Sequence, residues 1–382
     1  MPRLLHTADW QIGRAYARLP PESAVPLAEA RLAVVERLAA LATAQQVDAV
    51  LVAGDVFDVQ TVSERVLRQL FQALAGFAGP WVLLPGNHDA ALSESVWQRA
   101  RRLALVAPNV HLALTPEPIV LAQAGIAVLP APLQQRHTHD DLTAWFDAAE
   151  TPSGLARIGL AHGCVQGVLP EDIDSPNPIA PDRAERARLD YLALGDWHGC
   201  RAIDARTGYS GTPEPDRFRS LEAGYALLIE LEAGGPPPQV TRLATGRYRW
   251  QQLAPALQVA SDLDALLATL AALGRDDVVE LRLSGRIDLQ GQLRLDAALA
   301  AAEARVRHLA VERGALQLLP TADDLATLRA DGYLDALIEE LRQAQQPVAA
   351  APSSTLSPDV AREALALLAG ALAERRRESE SP

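Results

Sequence analysis

The sequence contains no lysine, so its entire positive charge comes from 35 arginines. These face 48 aspartates and glutamates, which gives a formal net charge of −13. Binding to the phosphates of nucleic acid draws on local positive charge, so a chain this acidic attracts DNA weakly by itself. A DNA substrate would need bound metal ions, local arginine clusters or a partner protein to supply the positive field.

Cysteine is also scarce, since Cys164 and Cys200 are the two present, which excludes a disulfide framework. The N-terminus lacks the charged and then apolar segments of a secretion signal. No run of about 18 apolar residues could span a bilayer. We expect a cytoplasmic protein that has reduced thiols and no association with membranes.

Aromatic residues make up only 4% of the chain against 49% apolar residues, so Leu, Ala and Val must fill the cores. A length of 382 residues predicts two or three domains. We expect a catalytic domain over 1–250, a small α+β capping domain over 251–320 and C-terminal helices over 321–382. Within the last region, 345–356 is rich in Ala, Pro and Ser and is typical of a linker.

Short apolar strands alternate with amphipathic helices in the first domain, which predicts an α/β fold. The strands are expected over 3–6, 48–53 and 81–84, and helices over 28–46 and 62–77, where apolar residues recur at three- and four-residue steps. Turn-punctuated strands follow without long helices. This pattern fits one sheet or two packed sheets.

The C-terminal region has two apolar helical stripes. The first includes Leu334, Leu337 and Leu341, and the second belongs to a helix that Ser357 should cap, with Pro358 as its first residue. An apolar helix beyond a linker has two uses. It can dock on another protein or fold back on its own domain, and the sequence favours neither.

Five polar runs each follow a strand-like apolar run directly. They are Asp9-Trp10-Gln11, Gly54-Asp55-Val56-Phe57-Asp58, Gly86-Asn87-His88-Asp89, His162-Gly163 and Gly195-Asp196-Trp197-His198. Strand ends bring residues from distant parts of a sequence to one edge of a sheet. Asp, Asn and His at such an edge indicate a metal site, and this set of residues predicts a two-metal phosphoester hydrolase.

Phosphodiester hydrolysis needs a nucleophile made from water, charge neutralisation on the phosphate and protonation of the leaving oxygen. Two divalent ions about 3.5–4 Å apart supply the first two functions. A carboxylate that binds both ions must hold them together, and we assign this role to Asp55, which follows the permissive Gly54. Asn87 offers an oxygen, while His162 and His198 offer nitrogens. Such a mixed set suits manganese, iron or zinc better than calcium.

The five motifs in this order resemble the calcineurin-like metallophosphoesterase superfamily. Within it, His6-Thr7-Ala8-Asp9-Trp10 and Gly54-Asp55-Val56-Phe57-Asp58 resemble the SbcD-type DNA-repair nucleases, and 209–215 with the trailing small domain resembles their YhaO branch. The motif resemblance covers about residues 3–215. It implies a four-layer sandwich in which two packed sheets are flanked by helices, followed by the α+β capping domain and the C-terminal helices.

The resemblance also implies a ligand set. Asp9, Asp55 and His198 would bind one metal. Asp55, Asn87 and His162 would bind the other, so that Asp55 bridges the two ions.

The same resemblance gives His88 the catalytic role. It would face the scissile phosphate and either protonate the leaving group or stabilise charge on the phosphate. The alternative for His88 is a structural histidine in a tight loop. Asp58 and Asp89 are expected to orient the residues that bind metal.

Two positions depart from the family pattern. Gln11 stands where the first motif usually has a metal-binding histidine, and Asp196 stands where the last motif usually has the first of two histidines. Both remain expected ligands through oxygen. The site is therefore richer in oxygen, which favours manganese or magnesium over zinc. Gln11 is a weaker ligand than imidazole, so it raises the prospect of a weakly bound first metal.

Three further residues are candidates for contact with DNA. Trp197 could stack on a base, although packing beside the site is as good an interpretation. Arg217 and Arg219 could contact the DNA backbone, although a solvated surface is the default for arginine.

The resemblance implies a divalent-metal-dependent DNA nuclease that acts in DNA repair with a coiled-coil ATPase of the SbcC or YhaN kind. Two manganese ions are the expected cofactors, and related nucleases commonly form homodimers. One alternative is a phosphoesterase that acts on an ester other than DNA. Another is a weakly active scaffold for the ATPase, because of Gln11.

Overall fold

The computed structural model describes residues 1–167, 177–218, 222–321, 324, 333–345 and 356–380. The chain divides into two compact units, Met1–Arg249 and Trp250–Pro382. Among the described helices, none is both long enough and apolar enough to cross a membrane.

The first unit has four helices and fourteen strands among its described residues. The helices are α1 (Pro21–Ala44), α2 (Glu64–Leu74), α3 (Val96–Arg102) and α4 (Arg183–Arg186), with 3-10 turns at Ala122–Ala124 and Ala144–Asp147. The strands are β1 (Arg3–Thr7), β2 (Ala49–Val52), β3 (Trp81–Leu83), β4 (Val110–Leu112), β5 (Ile119–Leu121), β6 (Ile126–Ala131), β7 (Ala156–His162), β8 (Cys164–Val165), β9 (Pro178–Ile179), β10 (Tyr191–Gly195), β11 (Arg201–Ala202), β12 (Thr207–Tyr209), β13 (Tyr225–Glu230) and β14 (Gln239–Ala244).

These strands form two six-stranded sheets and a short pair. The first sheet has the order β14-β13-β1-β2-β3-β4, and the second has the order β11-β12-β10-β7-β6-β5. Strands β1 to β4 are parallel to one another, as are β6, β7, β10 and β12. The carboxyl ends of parallel neighbours share one edge of a sheet.

Alternate residues of β2 show how the layers pack. Val50 and Val52 belong to the core between the first sheet and its helices, which includes Leu38 of α1 and Leu70 of α2. Ala49 and Leu51 belong to the core shared with the second sheet. A strand buried on both faces reads as a continuous apolar run, as the sequence of β2 does.

The other face of the second sheet is also covered. Leu192 and Leu194 of β10 pack in a core with Phe146 of a 3-10 turn and Ala184 of α4. Helices therefore flank both sheets, and the predicted α/β four-layer sandwich is confirmed.

The predicted start of α1 was wrong. The helix begins at Pro21 rather than at residue 28 and includes Pro26. Pro21 occupies the first helical turn, where its missing N–H costs nothing. Pro26 gives up one backbone hydrogen bond, which the burial of Leu27, Val34 and neighbouring residues offsets.

The second unit has its own sheet and core. Its strands are β15 (Arg249–Leu253), β16 (Ala256–Leu257), β17 (Asp277–Ile287) and β18 (His308–Leu318), and its helices are α5 (Ala260–Ala272), α6 (Leu289–Glu303), α7 (Tyr333–Ala344) and α8 (Pro358–Glu380). Strand β17 pairs with the other three strands. Leu266 of α5 and Leu295 of α6 pack with Val279 and Leu281 of β17.

The last helix folds back within the second unit. Ser357 caps it by accepting from the backbone N–H of Val360 at 3.3 Å. Leu365 packs with Ile338 of α7, and Ala369 packs with Leu289 of α6. The helix therefore packs within its own unit, and its docking on another protein stays a prediction. Most of the predicted linker, residues 346–355, lies outside the described residues.

Candidate metal centre

The five polar runs lie at the carboxyl ends of parallel strands in the two packed sheets. Asp9, Asp55 and Asn87 follow β1, β2 and β3 of the first sheet, while His162 ends β7 and Asp196 follows β10 of the second. Ligand atoms of Asp9, Asp55 and His162 lie within 4.8 Å of one another, and all three residues are buried. The structure thus brings together residues that are up to 187 positions apart in sequence.

The backbone bends in an unusual way at this edge. Asp9, Gln11, Asp55 and Asp196 have positive φ angles of 54°, 45°, 52° and 99°. Residues other than glycine rarely adopt this left-handed region, and such strain concentrates at functional sites. The four residues include all three carboxylates that the motifs predict as metal ligands.

Two glycines, which have no Cβ, make room for the side chains of His162 and Asp55. Gly54 has a φ of 89°, and a Cβ there would overlap the imidazole of His162. A Cβ on Gly86 would overlap the carboxylate of Asp55. Glycine at these positions lets the loops after β2 and β3 approach the predicted ligands closely.

We call Asp55, Asn87, His162 and Asp196 the His162 half of the site. His162 Nδ1 donates to the carbonyl oxygen of Ala53 at 2.8 Å, so Nε2 is the free ligand atom of the neutral ring. Three oxygens face this Nε2, at 3.3 Å on Asn87, 3.5 Å on Asp55 and 3.6 Å on Asp196. A nitrogen lone pair and carboxylate oxygens repel one another at these distances unless a proton or a metal cation lies among them.

The electrostatics around His162 and Asp9 favour a cation. Burial alone would lower the pKa of His162, but Asp55, Asp196 and Asp9 together raise it to about 9. Burial raises the pKa of Asp9 to about 6, against the opposing effects of His198 and His162. A divalent ion would stabilise the ionised carboxylates and the neutral imidazole at the same time. The donor set therefore fits a divalent metal.

We call Asp9, Gln11, Asp55 and His198 the His198 half. Here the side chains bond to one another. Arg14 Nη1 donates to Gln11 Oε1, and Gln11 Nε2 lies 3.3 Å from His198 Nε2. His198 Nδ1 lies 3.1 Å from the carboxylate of Asp216, so a proton on Nδ1 leaves Nε2 to accept from the Gln11 amide.

His88 lies beside the Asp55 carboxylate. Its backbone N–H donates to Asp55 Oδ1 at 2.9 Å, and its Nδ1 donates to the carbonyl oxygen of Asp58 at 2.7 Å. His88 Nε2 is then the atom that can gain and lose a proton, and it lies 3.9 Å from Asp55 Oδ2. Asp58 orients His88 through its backbone oxygen.

Asp89 connects the loops that carry Asp55 and Asn87. Its Oδ1 accepts from Gly86 N at 2.7 Å and its Oδ2 from Phe57 N at 3.0 Å. Burial, aided by Asp55, raises the pKa of Asp89 to about 7. These bonds fix the loop after β3 against the loop after β2.

Two residues that support the site were missed from the sequence. Arg31 is fully buried, and its guanidinium donates to the backbone oxygens of Asp9, Trp10 and Glu214. The available signal was an arginine in the apolar stripe of α1. Asp216, whose carboxylate faces His198, was also missed. Burial would raise the pKa of Asp216, but His198 and neighbouring arginines hold it well below its ordinary value.

The residues proposed for DNA contact have different surroundings. Trp197 packs against the outer core of the second sheet, and the Arg201 guanidinium lies 6.0 Å from its ring centre. Arg217 lies at the site itself, with Nη2 2.9 Å from His198 Nδ1 and 3.0 Å from Asp216 Oδ2. Arg219 lies outside the described residues.

Comparison with known proteins gives consistent matches. A family model described as calcineurin-like phosphoesterase matches residues 2–176. The SbcD component of nuclease SbcCD from Rhodobacter capsulatus is 31% identical over 365 residues, covering 81% of this chain and 87% of that protein. The protein of the same name in Bacillus subtilis is 26% identical, covering 75% and 81%.

A further relative matches over a shorter length. "DNA double-strand break repair protein Mre11" of Aeropyrum pernix is 29% identical over 259 residues, which cover 62% of this chain and 59% of that protein. The SbcD matches cover most of this chain, and they point to the same family as the order of the motifs and the two-sheet fold. The chain therefore belongs to the calcineurin-like phosphoesterase family, in which it is an SbcD-like, metal-dependent phosphodiester hydrolase.

Proposed function

We propose that this protein is a divalent-metal-dependent DNA nuclease of DNA repair, with a site built for two ions. The observation that supports this most strongly is His162 Nε2 facing oxygens of Asn87, Asp55 and Asp196 at 3.3–3.6 Å. The names of the relatives, a component of a nuclease and a double-strand break repair protein, support DNA as the substrate.

Asn87, His162 and Asp196 would hold one ion, and Asp9, Gln11 and His198 would hold the other. Asp55 would contact both. When bound, such ions supply a nucleophile from water and neutralise charge on the phosphate. The carboxylates of Asp9, Asp55 and Asp196 and the amide oxygens of Asn87 and Gln11 make this ligand set rich in oxygen. Such a set favours manganese or magnesium over zinc.

His88 would handle the proton that the leaving oxygen needs. Its Nδ1 is committed to the carbonyl oxygen of Asp58, so a second proton must reside on Nε2. A side chain of His88 that is 30% exposed can exchange that proton with solvent and still face a phosphate beside Asp55. This arrangement suits a general acid that protonates the 3′ or 5′ oxygen of the cleaved strand.

The relatives are named as one component of nuclease SbcCD, so we infer that this chain also works with a coiled-coil ATPase of the SbcC or YhaN kind. A positively charged surface on that partner would offset the net charge of −13 on this chain. We further propose that the complex acts in the cytoplasm and that the nuclease component forms a homodimer. The C-terminal helices, which pack on each other through Ile338 and Leu365, are the segment proposed to hold the ATPase.

The test measures cleavage with metal-stripped protein to which Mn²⁺, Mg²⁺ or Zn²⁺ is returned. The substrates are bis-p-nitrophenyl phosphate, single-stranded DNA and blunt duplex DNA. Asp55→Asn removes the shared charge and keeps the shape of the side chain. Asp182→Asn is the matched control, because Asp182 is 55% exposed on the surface of the same unit.

We expect Mn²⁺-dependent cleavage of the ester and of DNA by the wild type and by the Asp182 variant, but not by the Asp55 variant. Ester cleavage without DNA cleavage, with and without the ATPase, would instead favour a phosphoesterase that acts on another substrate. Metal-dependent cleavage of none of the three substrates would contradict the nuclease and favour a scaffold. The scaffold hypothesis is supported by the hydrogen bond from Arg14 to Gln11 Oε1, because this bond engages the oxygen that would bind metal.

A further inference from the structure

The two halves of the site differ in what surrounds their ligand atoms. In the His162 half, Nε2 of His162 faces only oxygen atoms in the contacts described above. In the His198 half, two guanidinium groups lie within hydrogen-bond reach of the proposed ligands. Arg14 bonds to Gln11, and Arg217 Nη2 lies 3.2 Å from His198 Nε2.

The orientation of the Gln11 amide follows from Arg14. A guanidinium only donates, so the Gln11 atom that faces it must be the oxygen. The amide nitrogen of Gln11 is then left to face His198 Nε2 at 3.3 Å. The Gln11 side chain is almost fully buried, so few other rotamers are open to it. Gln11 therefore presents an N–H, which cannot bind a metal, toward the atom of His198 that would.

Other groups hold Arg14 in this position. Its Nη1 lies 3.2 Å from the buried carboxylate of Asp216 and 3.8 Å from Asp58 Oδ1. The Arg14 guanidinium also lies 5.5 Å from the ring centre of Tyr16. Asp216 thus binds Arg14 and His198 together, and the chain Arg14–Gln11–His198–Asp216 closes into a ring of polar contacts.

We propose that Arg14 controls metal loading of the His198 half by holding the Gln11 amide with its N–H toward His198. An ion can enter this half only after the amide turns and its oxygen leaves Arg14. The positive charge of Arg14 also opposes the incoming cation. In the His162 half, Nε2 of His162 faces oxygens of Asn87, Asp55 and Asp196, so the two ions bind in sequence, the first at the His162 half.

This inference rests on the two-ion site of the proposed function and adds the order and inequality of binding. Isothermal titration of metal-stripped protein with Mn²⁺ gives the two affinities. Electron paramagnetic resonance gives a second readout, because isolated Mn²⁺ and a coupled Mn²⁺ pair have different spectra. The proteins are the wild type, Arg14→Ala, Gln11→His and the control Arg68→Ala. Arg68 is 56% exposed and pairs with Glu64, and its loss changes the net charge equally.

We expect the wild type to bind one Mn²⁺ at least about 100-fold more tightly than the next, with the spectrum of an isolated ion at one equivalent. Arg14→Ala should tighten the weaker ion about tenfold, and Gln11→His should do the same by removing the amide. Arg68→Ala should match the wild type. These results would support the proposal.

Equal affinities in the wild type, or a weaker ion unchanged by both Arg14→Ala and Gln11→His, would overturn the proposal. The two-ion nuclease would survive that outcome. If instead none of the four proteins bound Mn²⁺, the proposed function itself would fail. Circular dichroism of each variant before titration separates a loss of folding from a change in metal affinity.

Discussion

The His162 half and the His198 half of the proposed site share Asp55 but differ in the groups that contact their histidines. His162 is fixed by a bond from Nδ1 to a backbone oxygen, and its Nε2 faces three oxygens. His198 is fixed by the Asp216 carboxylate, but its Nε2 faces the Gln11 amide and Arg217. Both histidines are oriented in the way that metal sites require. The difference lies in the groups that occupy the space in front of them.

This difference shows how one side chain can alter half of the proposed two-ion site. Gln11 stands where the resemblance predicts a metal-binding histidine, and a glutamine has both an acceptor and a donor at its tip. Arg14, three residues later, takes the acceptor. The donor is then left toward His198, so the partner of Gln11 matters as much as Gln11 itself.

The largest effect should come from the residue that the two halves share. Asp55→Asn removes the negative charge next to both ions, so we expect titration with Mn²⁺ to lose both binding events. Hydrolysis of bis-p-nitrophenyl phosphate should fall about 10³-fold or more, since the ions supply several kcal/mol of stabilisation. Retention of one tight ion in this variant would show that Asp55 is not shared.

His88 belongs to neither the His162 half nor the His198 half, so its variant tests the proton transfer separately from metal binding. His88→Gln should leave both Mn²⁺ affinities unchanged and slow DNA cleavage about 100-fold, the usual contribution of a general acid. The loss on bis-p-nitrophenyl phosphate should be much smaller, because nitrophenolate leaves without protonation. Equal losses on DNA and on the ester would assign His88 to charge stabilisation on the phosphate instead.

Asp216 should affect only the His198 half. Asp216→Asn weakens the bond that orients His198, and loss of such an orienting group costs about tenfold in metal affinity. Arg14 keeps its bond to Gln11 and its contact with Asp58 in this variant. Titration should show a change in the weaker ion alone. The exposed control, Asp182→Asn, should change neither ion. A change in the tight ion would mean that Asp216 supports the whole site.

The smallest effect should be that of pH on the free energy of unfolding of the metal-free protein. The pKa of His162 is raised to about 9 and that of Asp9 to about 6, from 6.5 and 3.8. On these two groups the folded state holds more protons than the unfolded state as pH rises from 4 to 9, so their contribution to the free energy of unfolding falls across this range. Burial lowers the pKa of His6 to about 3, and this opposes the trend only below about pH 6.5.

Calorimetry should therefore give a Tm that is lower at pH 9 than at pH 5, by on the order of 5 °C. Saturating Mn²⁺ should reduce this dependence, because the ions replace the protons. His162→Gln should reduce it in the absence of metal. Metal-free protein that becomes more stable between pH 5 and pH 9 would contradict the assignment of a cation site here.

Much of the fold was predictable from the sequence, and so was the sheet edge at which the polar runs come together. The continuous apolar run of β2 predicted a strand buried on both faces, and polar runs after β1, β2, β3, β7 and β10 predicted one shared edge. Strand ends are local signals, and parallel pairing turns them into a common position. The start of α1 was not predictable in this way, because Pro21 and Pro26 read as helix breakers when tertiary burial is unknown.

The roles of Arg14, Arg31 and Asp216 were not predictable, for a physical reason. Each acts on residues brought to it by the fold, as Asp216 does on His198 and Arg31 on the backbone of Asp9. An arginine or aspartate in a sequence reads as a solvated charge unless its partners are known. Gln11 was recognised as a departure from the family pattern, but the direction of its amide depends on Arg14.

The most direct test is a crystal structure with Mn²⁺, measured at the manganese absorption edge so that anomalous scattering locates the ions. At one equivalent we predict a single peak among Asp55, Asn87, His162 and Asp196. At saturating Mn²⁺ a second peak should appear beside Asp9 and His198, with the Gln11 oxygen turned away from Arg14. A first peak beside His198, or two equal peaks at one equivalent, would contradict the account.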